Sequence, residues 1–366
     1  MKILQIYTDL RVGGIQRFVL DLSQELGKEH EVILLTTWSG SVDQISVEKP
    51  NFRRIALGKT SGGFSLALLF RIAWIILKER PDVVHTHLFT LVYAAPLMLF
   101  GLPFKTKYVH TVHSMADKEM PGLYRFKKFV YRWRTIPVSI SEAVQASVEK
   151  VFSFSKGTSP LIYNGVAVDL KQQMPEDKLS IIKKLQENGR IFVSVGNLSK
   201  NKNQLMLNRV AVRLEKEGYQ FSVIIAGRDD DAEYTKQFLA EKCDSVHYIG
   251  MCLQPQALLR EADFFTLSSI YEGMPISLLE ALSCGCVPVC VPAGGIPSGC
   301  IHHKNGLLAE DISEDALYKV MKEALELSSG EYEEYRQASL KLFTDKFSME
   351  KCTDEYVKLY RGNKTA

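Results

Sequence analysis

Short apolar runs alternate with amphipathic helical patterns along the whole chain, and this alternation strongly limits its possible folds. Segment 15–27, for example, places Phe18, Val19, Leu22 and Leu26 at helical spacing between two apolar runs. The strand-like runs are 2–8, 31–38, 52–57, 82–87, 107–113 and 136–139, followed by 191–195, 221–226, 246–249, 263–267 and 287–291. Strands separated by helices form parallel sheets through right-handed crossovers. Because the alternation stops and then restarts, it predicts an α/β protein with two Rossmann-like, doubly wound parallel-sheet domains facing each other across a cleft.

The pause in the alternation also indicates the domain boundary. A length of 366 residues fits two domains of ordinary size. A loop-like stretch near 166–177 separates the two sets of strands. We therefore expect an N-terminal domain over residues 1–168 and a C-terminal domain over residues 169–348, with a last helix at about 349–366 packing back on the first domain.

Composition excludes several classes of protein. The formal net charge of +3 and the scattered prolines and glycines indicate neither a disordered tail nor a nucleic-acid-binding arm. All seven cysteines follow residue 242, and an odd count with this asymmetry is typical of free thiols in a reducing compartment. No signal-peptide pattern precedes Asp9. The sequence therefore predicts a cytoplasmic protein.

Two apolar runs, 64–77 and 88–104, are candidate membrane spans. The first is short and contains Arg71, and the second contains Pro96, Gly101 and Pro103. A membrane-spanning helix needs about 20 apolar residues. The sequence therefore favours buried helices at both places.

The segment around Glu272 carries the strongest chemical signal. A strand ends near residue 267, Glu272 follows in a loop, Pro275 suits the first helical position and Gly285 suits the helix stop. The first amides of that helix, at Ile276, Ser277 and Leu278, lack intrahelical acceptors and suit a diphosphate. Glu272 and Glu280 flank this anion site, where a carboxylate is favourable if it accepts hydrogen bonds from sugar hydroxyls. The alternative is that both glutamates are merely solvated.

A second glycine-rich turn follows the first strand. Gly13 and Gly14 stand at the start of a helix whose amides can face a phosphate. A dinucleotide fingerprint would need G-x-G-x-x-G and an acidic residue after the second strand, and neither is present. The glycine pair alone is equally compatible with a plain tight turn.

In this order the motifs resemble the retaining family-four glycosyltransferases of GT-B fold, also described as glycosyl transferases group 1. The resemblance rests on Glu272-Gly273-Met274-Pro275, on Glu280 and on shorter segments that cover nearly the whole chain. Those segments are Gly13-Gly14, 110–113, 138–141, 163–166, 195–198, 202–203, 225–227 and 248–250.

The resemblance implies a role for each matching residue. Glu280 would hold the ribose hydroxyls, and Glu272 with the amides of Gly273 and Met274 would hold the donor sugar. Ser277 and Leu278 would give amides to the phosphates, Lys202 would neutralise the leaving diphosphate, and His113 would contact the sugar near the reacting carbon. The remaining donor contacts are expected at Gly13, Gly14, Asn197, Arg228, Met251 and Pro275.

The same resemblance implies the reaction and its partners. The first domain would bind a glycan or lipid-linked acceptor, and the second would bind a nucleotide diphosphate sugar, with a UDP-sugar favoured. The sugar would be a hexose or an N-acetylhexosamine used in bacterial cell-surface polysaccharide synthesis. Such enzymes need no metal or other cofactor. No nucleic-acid partner is expected.

Asn197 is a departure from the family pattern, which usually has an arginine at this position. Loss of that arginine would remove a bidentate partner of the diphosphate. Arg228 or Lys200 could compensate. The departure also makes an inactive sugar-nucleotide-binding protein a rival hypothesis, beside a nucleotide-sugar epimerase or a glycosidase that uses Glu272 and Glu280.

Two further patterns favour structural explanations. A histidine pair, His85 and His87, ends a strand, where a packed or hydrogen-bonded pair is the favoured interpretation. A cluster of cysteines and histidines suggests zinc, yet cysteine beside an apolar strand is commonly a small buried residue. Its members are Cys284, Cys286, Cys290, Cys300, His302 and His303.

Residues 124–134 form a basic and aromatic helix pattern without an acidic residue. At helical spacing Phe126, Phe129, Val130 and Trp133 share one face, and Arg125, Lys128 and Arg132 share another. Such a helix can lie on an anionic membrane. The alternative is that its aromatic face packs on the first sheet. The membrane interpretation predicts a peripheral protein on the inner face of the plasma membrane.

Overall fold

A computed structural model describes residues 1–38, 45, 47, 49–60, 62–99 and 105–362. Residues 100–104, at the end of the second apolar run, and residues 363–366, at the end of the last predicted helix, lie outside this description. The chain divides into two compact units, one formed by Met1–Ala167 with Met349–Ala366 and the other by Val168–Ser348.

The first unit is built on a six-stranded parallel sheet of order β3-β2-β1-β4-β5-β6. Its strands are β1 (Lys2–Tyr7), β2 (Glu31–Trp38), β3 (Arg53–Lys59), β4 (Val83–His87), β5 (Lys107–Val112) and β6 (Thr135–Ser139). Its helices are α1 (Gly14–Leu26), α2 (Leu66–Glu79), α3 (Leu91–Leu99, after a 3₁₀ turn at Leu88–Thr90), α4 (Tyr124–Trp133), α5 (Glu142–Phe152) and α14 (Met349–Arg361). The central strands are buried, as their continuous apolar runs predict.

Helix α14 returns to this sheet through polar as well as apolar contacts. The hydroxyl of Tyr360 lies 2.7 Å from His85 Nδ1, and the hydroxyl of Tyr356 lies 2.7 Å from Thr111 Oγ1. Lys107 Nζ donates to the carbonyl oxygens at the end of the helix, at 3.0 Å. These buried hydrogen bonds fix the helix against β4 and β5.

The second unit repeats the architecture with the sheet order β12-β11-β10-β7-β8-β9, again parallel. Its strands are β7 (Arg190–Val195), β8 (Phe221–Ala226), β9 (Val246–Tyr248), β10 (Phe264–Leu267), β11 (Val287–Cys290) and β12 (Leu307–Leu308). Its helices are α6 (Glu176–Gln186), α7 (Gln204–Lys216), α8 (Ala232–Glu241), α9 (Pro255–Arg260), α10 (Ile276–Ser283), α11 (Ile296–Gly299), α12 (Glu314–Glu326) and α13 (Ser329–Leu342), with a π-helical turn at Phe343–Phe347. Strand β12 and helix α11 were not predicted, because both are short and one lies in a loop rich in glycine and proline.

The prediction that both apolar runs form buried helices is confirmed for α3 and wrong for α2. In α3 Leu91, Tyr93 and Leu97 are buried. In α2 Leu68 and Ile72 are buried, whereas the opposite side of the helix exposes large apolar side chains. The reason is that α2 is apolar around most of its circumference, and a helix on an open sheet can bury only one side. No helix within the described residues is long and apolar enough to cross a membrane.

All seven cysteines are free thiols. Cys286, Cys290 and Cys300 are buried, as expected of small core residues, and burial raises the pKa of Cys286 and Cys300. Within the described residues no group of histidine, cysteine and acidic side chains is arranged to hold a metal ion.

Candidate active site

The loop between β10 and α10 has the predicted outline with two corrections. Pro275 is the residue before the helix, which begins at Ile276, so it is the N-cap and not the first helical residue. The amide of Leu278 lacks an acceptor inside the helix, as predicted, but it donates to the carbonyl of the N-cap residue Pro275 at 3.1 Å and is therefore not free. No side chain caps this terminus. Gly285 follows the helix with φ +71, as its predicted stop role requires.

Lys202 and Glu272 meet at this loop, although they are far apart in sequence. Lys202 Nζ donates to Glu272 Oε1 at 2.6 Å, and both side chains are mostly buried. Lys202 follows β7 and Glu272 follows β10, and these two strands are neighbours in the sheet. The strand order therefore brings together two of the predicted catalytic residues.

Hydrogen bonds between the two loops hold that pair in place. Ser268 Oγ donates to the carbonyls of Lys202 at 2.9 Å and Asn203 at 3.0 Å. The amide of Ile270 donates to the carbonyl of Asn201 at 2.8 Å. The Asn201 side chain in turn donates to the carbonyl of Tyr271 at 3.1 Å. Sequence analysis missed Ser268 and Asn201, because polar residues after a strand carry no distinctive signal by themselves.

Gly294, in the loop after β11, packs directly on Glu272. Its φ is +54, and a Cβ at this position would lie 1.8 Å from the carbonyl oxygen of Glu272. That oxygen accepts a hydrogen bond from the amide of Gly295 at 3.3 Å. Only glycine fits so close an approach with a left-handed backbone. The third loop therefore supports the backbone of Glu272, a role that sequence analysis did not assign.

Asn197 stands at the position where the family usually has an arginine, and its side chain forms hydrogen bonds with neighbouring residues. Its Nδ2 donates to Asp230, and its Oδ1 accepts from the amide of Arg228 at 3.2 Å. Arg228 Nε is buried, has no hydrogen-bond partner among the residues that the structure describes, and lies 3.8 Å from Asp230 Oδ1. Lys200 is exposed. Asn197 therefore orders the backbone that carries Arg228.

Glu280 and Met251 both lie near Cys252, Met251 as its neighbour in sequence and Glu280 through its electrostatic effect on the thiol. Glu280 is buried on α10, and the carbonyl of Met251 accepts from Lys178 Nζ at 3.4 Å. Burial raises the pKa of the Cys252 thiol, on which Lys178 and Glu280 act with opposite electrostatic effects. Lys178, which sequence analysis did not consider, therefore lies close to Met251 and Cys252. Gly273 and Met274 lie in the loop after β10, and Ser277 lies in the first turn of α10.

His113 follows β5 in the first unit and is almost fully buried. Its Nε2 lies 2.9 Å from His87 Nδ1, and its amide donates to Glu119 Oε1 at 2.9 Å. Burial lowers the pKa of His113 to about 4, against a partial opposing effect of Glu119. The imidazole is therefore neutral at pH 7, and within the described residues its Nδ1 has no hydrogen-bond partner.

His85 and His87 behave as the favoured interpretation predicts. His85 bonds to Tyr360 and Thr111, and His87 bonds to His113 and Gln5, all inside the core. Their ring centroids are 4.3 Å apart. The pair is packed and hydrogen-bonded.

Gly13 and Gly14 also belong to the first unit. Gly13 is the N-cap of α1 and, having no side chain, makes no side-chain capping hydrogen bond there. Phe18 on the same helix meets His113 edge to face, with ring centroids 5.7 Å apart. The start of α1 and His113 are therefore linked through packing, as two of the predicted donor contacts would require.

Helix α4 does not have the two faces that were predicted. Phe126 is half-buried and Val130 is buried, but Phe129 and Trp133 are exposed and stack on one another at a centroid distance of 6.1 Å. The buried side of the helix includes Lys127, which donates to backbone carbonyls, among them that of Ala116 at 3.0 Å. The two outer aromatic residues therefore share the exposed side with basic residues instead of packing on the sheet.

Comparisons with known proteins cover both units. Residues 12–170 match the family described as Glycosyltransferase Family 4, and residues 176–341 match the one described as Glycosyl transferases group 1. The O-antigen biosynthesis glycosyltransferase WbnH of Escherichia coli is 25% identical over 362 residues, which cover 98% of each chain. An alignment with an uncharacterized glycosyltransferase of Methanocaldococcus jannaschii is 26% identical over 229 residues and spans 56% of that protein's length.

A relative from Campylobacter jejuni is named for a lipid-linked sugar. It is the GalNAc-alpha-(1->4)-GalNAc-alpha-(1->3)-diNAcBac-PP-undecaprenol alpha-1,4-N-acetyl-D-galactosaminyltransferase, 28% identical over 299 residues that cover 77% of each chain. Among solved structures, Anabaena HepE in complex with UDP and glucose superposes with a TM-score of 0.82 at 17% identity, covering 99% of this chain and 100% of that one. The predicted GT-B fold, with its two parallel α/β sheets, is confirmed.

Proposed function

The chain belongs to the family-four glycosyltransferases of group 1, and we propose that it transfers a hexose or N-acetylhexosamine, with retention of configuration, from a nucleotide diphosphate sugar to a glycan or lipid-linked acceptor. The observation that carries the proposal is the Lys202–Glu272 pair, held by three loops beside the start of α10. A cation and a hydroxyl-accepting carboxylate side by side suit a diphosphate joined to a sugar.

Lys202 acts on the leaving group in this proposal. Breaking the sugar–phosphate bond leaves an oxocarbenium-like sugar and a more negative diphosphate. A buried ammonium stabilises that extra charge more strongly in the transition state than in the ground state. Glu272 holds Lys202 in position and accepts hydrogen bonds from the sugar hydroxyls, with the amides of Gly273 and Met274 beside it.

The nucleotide lies along α10 and the end of β9. Glu280 accepts the ribose hydroxyls, and Met251 lies near it at the end of β9. Ser277 and Leu278 face the phosphates, with the Leu278 amide exchanging its local acceptor, 3.1 Å away at Pro275, for a phosphate oxygen. Arg228 supplies the second cation, which is supported by its buried Nε without a hydrogen-bond partner among the described residues.

The first unit supplies His113, Gly13 and Gly14. A neutral His113 can form hydrogen bonds with a sugar hydroxyl without the charge that would repel a developing oxocarbenium ion. The uncapped start of α1 offers backbone amides to an anionic group. The family resemblance also implies that the first unit binds the acceptor.

Relatives support the class of acceptor. One is named for O-antigen biosynthesis and another for an undecaprenyl diphosphate-linked substrate. We propose a UDP-sugar as donor because HepE was solved with UDP and glucose. Lysine and backbone amides neutralise the diphosphate here, so the proposed reaction needs no divalent cation. The setting is bacterial cell-surface polysaccharide synthesis in the cytoplasm, with peripheral contact to an anionic membrane through residues 124–134.

Thermal unfolding with nucleotides tests the donor site. A ligand at 100 times its dissociation constant adds about 2.7 kcal/mol of stability. UDP, GDP and their sugars should give distinct shifts in Tm, with UDP compounds the largest. Lys202→Ala should reduce the shift, while Lys183→Ala, at an exposed lysine of α6, should not. A protein indifferent to every nucleoside diphosphate would contradict the proposal.

A further inference from the structure

A row of large apolar side chains runs along the exposed side of α2. Leu66, Phe70 and Trp74 are 64%, 69% and 59% exposed, and Leu77 continues the row. They are spaced at i, i+4, i+8 and i+11, so they form one stripe. Single exposed apolar residues are ordinary, but a contiguous stripe marks an interaction surface. We call these four residues the α2 stripe.

Cations without acidic partners border the α2 stripe. Lys78 Nζ lies 4.8 Å from the ring centroid of Trp74, and Arg71 donates to the carbonyl of Leu57 at 2.8 Å. Within the described residues neither forms an ion pair. The acid of this helix, Glu79, is already paired with Lys2 and Arg53 at 2.8 and 2.7 Å. The surface around the stripe is therefore positively charged.

A groove beside the stripe could receive an anionic headgroup. It has a volume of about 220 Å³ and runs between α2 and the edge strand β3. Its charged lining residues are Arg53, Arg71, Lys78 and Glu79, with Trp74 beside them. Glu79 is paired with Arg53, so Arg71 and Lys78 are the lining cations without an acidic partner among the described residues. A phospholipid matches this arrangement, because its acyl chains would contact the apolar side chains and its phosphate would contact the cations of the groove.

Helix α4 presents a similar surface on the same side of the sheet. Helix α2 packs against α3 and α3 against α4, whereas α1 packs against α14. Helices α2, α3 and α4 lie in the crossovers β3–β4, β4–β5 and β5–β6, which all run in the same direction across the sheet. Right-handed crossovers in one direction place their helices on one face of the sheet. The exposed Phe129 and Trp133, with Arg125 and Arg132, therefore point outward from the same helical layer as the α2 stripe.

We propose that the α2 stripe docks on an anionic membrane, its apolar side chains entering the boundary between headgroups and acyl chains while Arg71 and Lys78 hold lipid phosphates. An amphipathic helix with basic residues beside a Trp- and Phe-bearing face binds membranes in this way. Helix α4 is a second contact of the same surface. Docking would assist catalysis only if the acceptor is lipid-linked, as proposed above. The docking itself does not depend on that proposal.

Trp74 fluorescence tests the proposal directly. The chain has three tryptophans, so a Trp38→Phe/Trp133→Phe variant reports on Trp74 alone. Vesicles of equal parts phosphatidylcholine and phosphatidylglycerol should shift its emission to the blue, and brominated lipids should quench it. Leu66→Gln/Phe70→Gln should weaken binding at least tenfold, since both substitutions replace an apolar side chain that docking would bury. The control Ile181→Gln, exposed 51% on α6, should not.

Two results would overturn this docking surface. One is unchanged Trp74 emission with both anionic and pure phosphatidylcholine vesicles. The other is concentration-dependent self-association without vesicles that Phe70→Gln abolishes, because the stripe would then bind a second copy of the chain. The UDP-induced shift in Tm, measured on each variant, separates these failures from a failure of the donor site.

An independent observation concerns how His113 is held. Gln5, His87 and His113 form a buried chain, with 2.8 Å from Gln5 Oε1 to His87 Nε2 and 2.9 Å from His87 Nδ1 to His113 Nε2. In this orientation of the Gln5 amide, whose Nε2 is buried without a hydrogen-bond partner among the described residues, Oε1 faces His87 and can only accept, so His87 carries its proton on Nε2 and accepts at Nδ1. His113 must then donate from Nε2, which leaves a lone pair on Nδ1.

We infer that Gln5 and His87 are positioning residues that fix the Nε2-protonated tautomer of His113, so that Nδ1 accepts a hydrogen bond from a substrate hydroxyl. His113 Nδ1 is buried with the rest of the ring and has no hydrogen-bond partner among the described residues, so it points to a ligand that would supply the missing partner. The hydroxyl belongs to the donor sugar if the proposed function holds. The tautomer is independent of that function.

Long-range ¹H–¹⁵N spectra of histidine-labelled protein report the tautomer without any substrate. We expect His113, assigned with His113→Gln, to be protonated on Nε2 in the wild type and to become a mixture in Gln5→Met. His85, whose partners Tyr360 and Thr111 are untouched, is the internal control. Sugar transfer should fall about tenfold in Gln5→Met, as expected for one hydrogen bond, with UDP binding unchanged. A His113 protonated on Nδ1 in the wild type would refute the inference.

Discussion

Gly294→Ala is a small substitution far in sequence from Glu272, and we expect it to disable the donor site. At Gly294 φ is +54, and an added Cβ would lie 1.8 Å from the Glu272 carbonyl oxygen. Real Cβ atoms stay more than 3 Å from such atoms. Because the obstacle is backbone and not the end of a flexible side chain, the Glu272 loop must move by more than 1 Å.

Two effects set the magnitude for Gly294→Ala. A non-glycine residue in the left-handed region costs about 1–3 kcal/mol, and each kcal/mol lowers Tm by about 2–4 °C in a domain of this size. Displacement of a catalytic group by about 1 Å can reduce the rate about a hundredfold. We therefore expect a moderate loss of stability and a loss of roughly two decades in kcat/KM.

The assay pairs donor turnover with thermal unfolding. Gly330→Ala is the matched control, since its added Cβ would meet nothing within 4 Å and its φ is not in the positive region. The control should retain wild-type turnover and Tm. Wild-type turnover in a folded Gly294→Ala protein would refute the claim that the third loop positions Glu272.

Three further outcomes follow from the same site. Lys202→Ala and Glu280→Ala should each lower kcat/KM by one to two decades, as expected from loss of a charge-assisted hydrogen bond worth about 1.5–3 kcal/mol; unchanged kinetics in both would remove them from the donor site. Turnover should survive EDTA, because Lys202 and amides neutralise the diphosphate, and a complete loss restored by magnesium would contradict this. Stability should fall as pH drops from about 6.5 towards 4: the pKa of His113 is lowered to about 4 by burial, so in this window the unfolded chain binds a proton that the folded one does not. Burial also lowers the pKa of His85 and His87, so His113→Gln should reduce this slope without abolishing it, and an unchanged slope would refute the assignment.

The strands and the β10–α10 loop were predictable because each leaves a local signal. Continuous apolar runs predicted the strands that carry Lys202 and Glu272, and the spacing of Glu272, Pro275 and Gly285 predicted a loop and a helix. The contact between Lys202 and Glu272 was not predictable from local pattern. It depends on β7 and β10 being neighbours, which the strand order decides.

The remaining differences arise from long-range packing. The apolar pattern of α2 gave no indication of which side would face the sheet, so Phe70 and Trp74 were expected to be buried and are exposed. In the sequence Gly294 is one glycine in a loop rich in glycine and proline. Its role depends on its backbone angle and its contact with Glu272, which only the fold determines. The buried hydrogen bonds among Gln5, His87 and His113 connect β1, β4 and the end of β5. No spacing along the chain indicates these contacts.

Nucleotide release during sugar transfer tests the central claim most directly. The wild type and Lys202→Ala would be incubated with a panel of UDP- and GDP-sugars, with and without an undecaprenyl diphosphate-linked amino sugar as acceptor. Free nucleoside diphosphate and the extended lipid-linked product would be measured together. We predict that at least one UDP-sugar gives stoichiometric UDP and product only with the acceptor, and that Lys202→Ala slows both by one to two decades. Epimerised donor without an extended product, or no release of nucleotide from any donor, would contradict a glycosyltransferase.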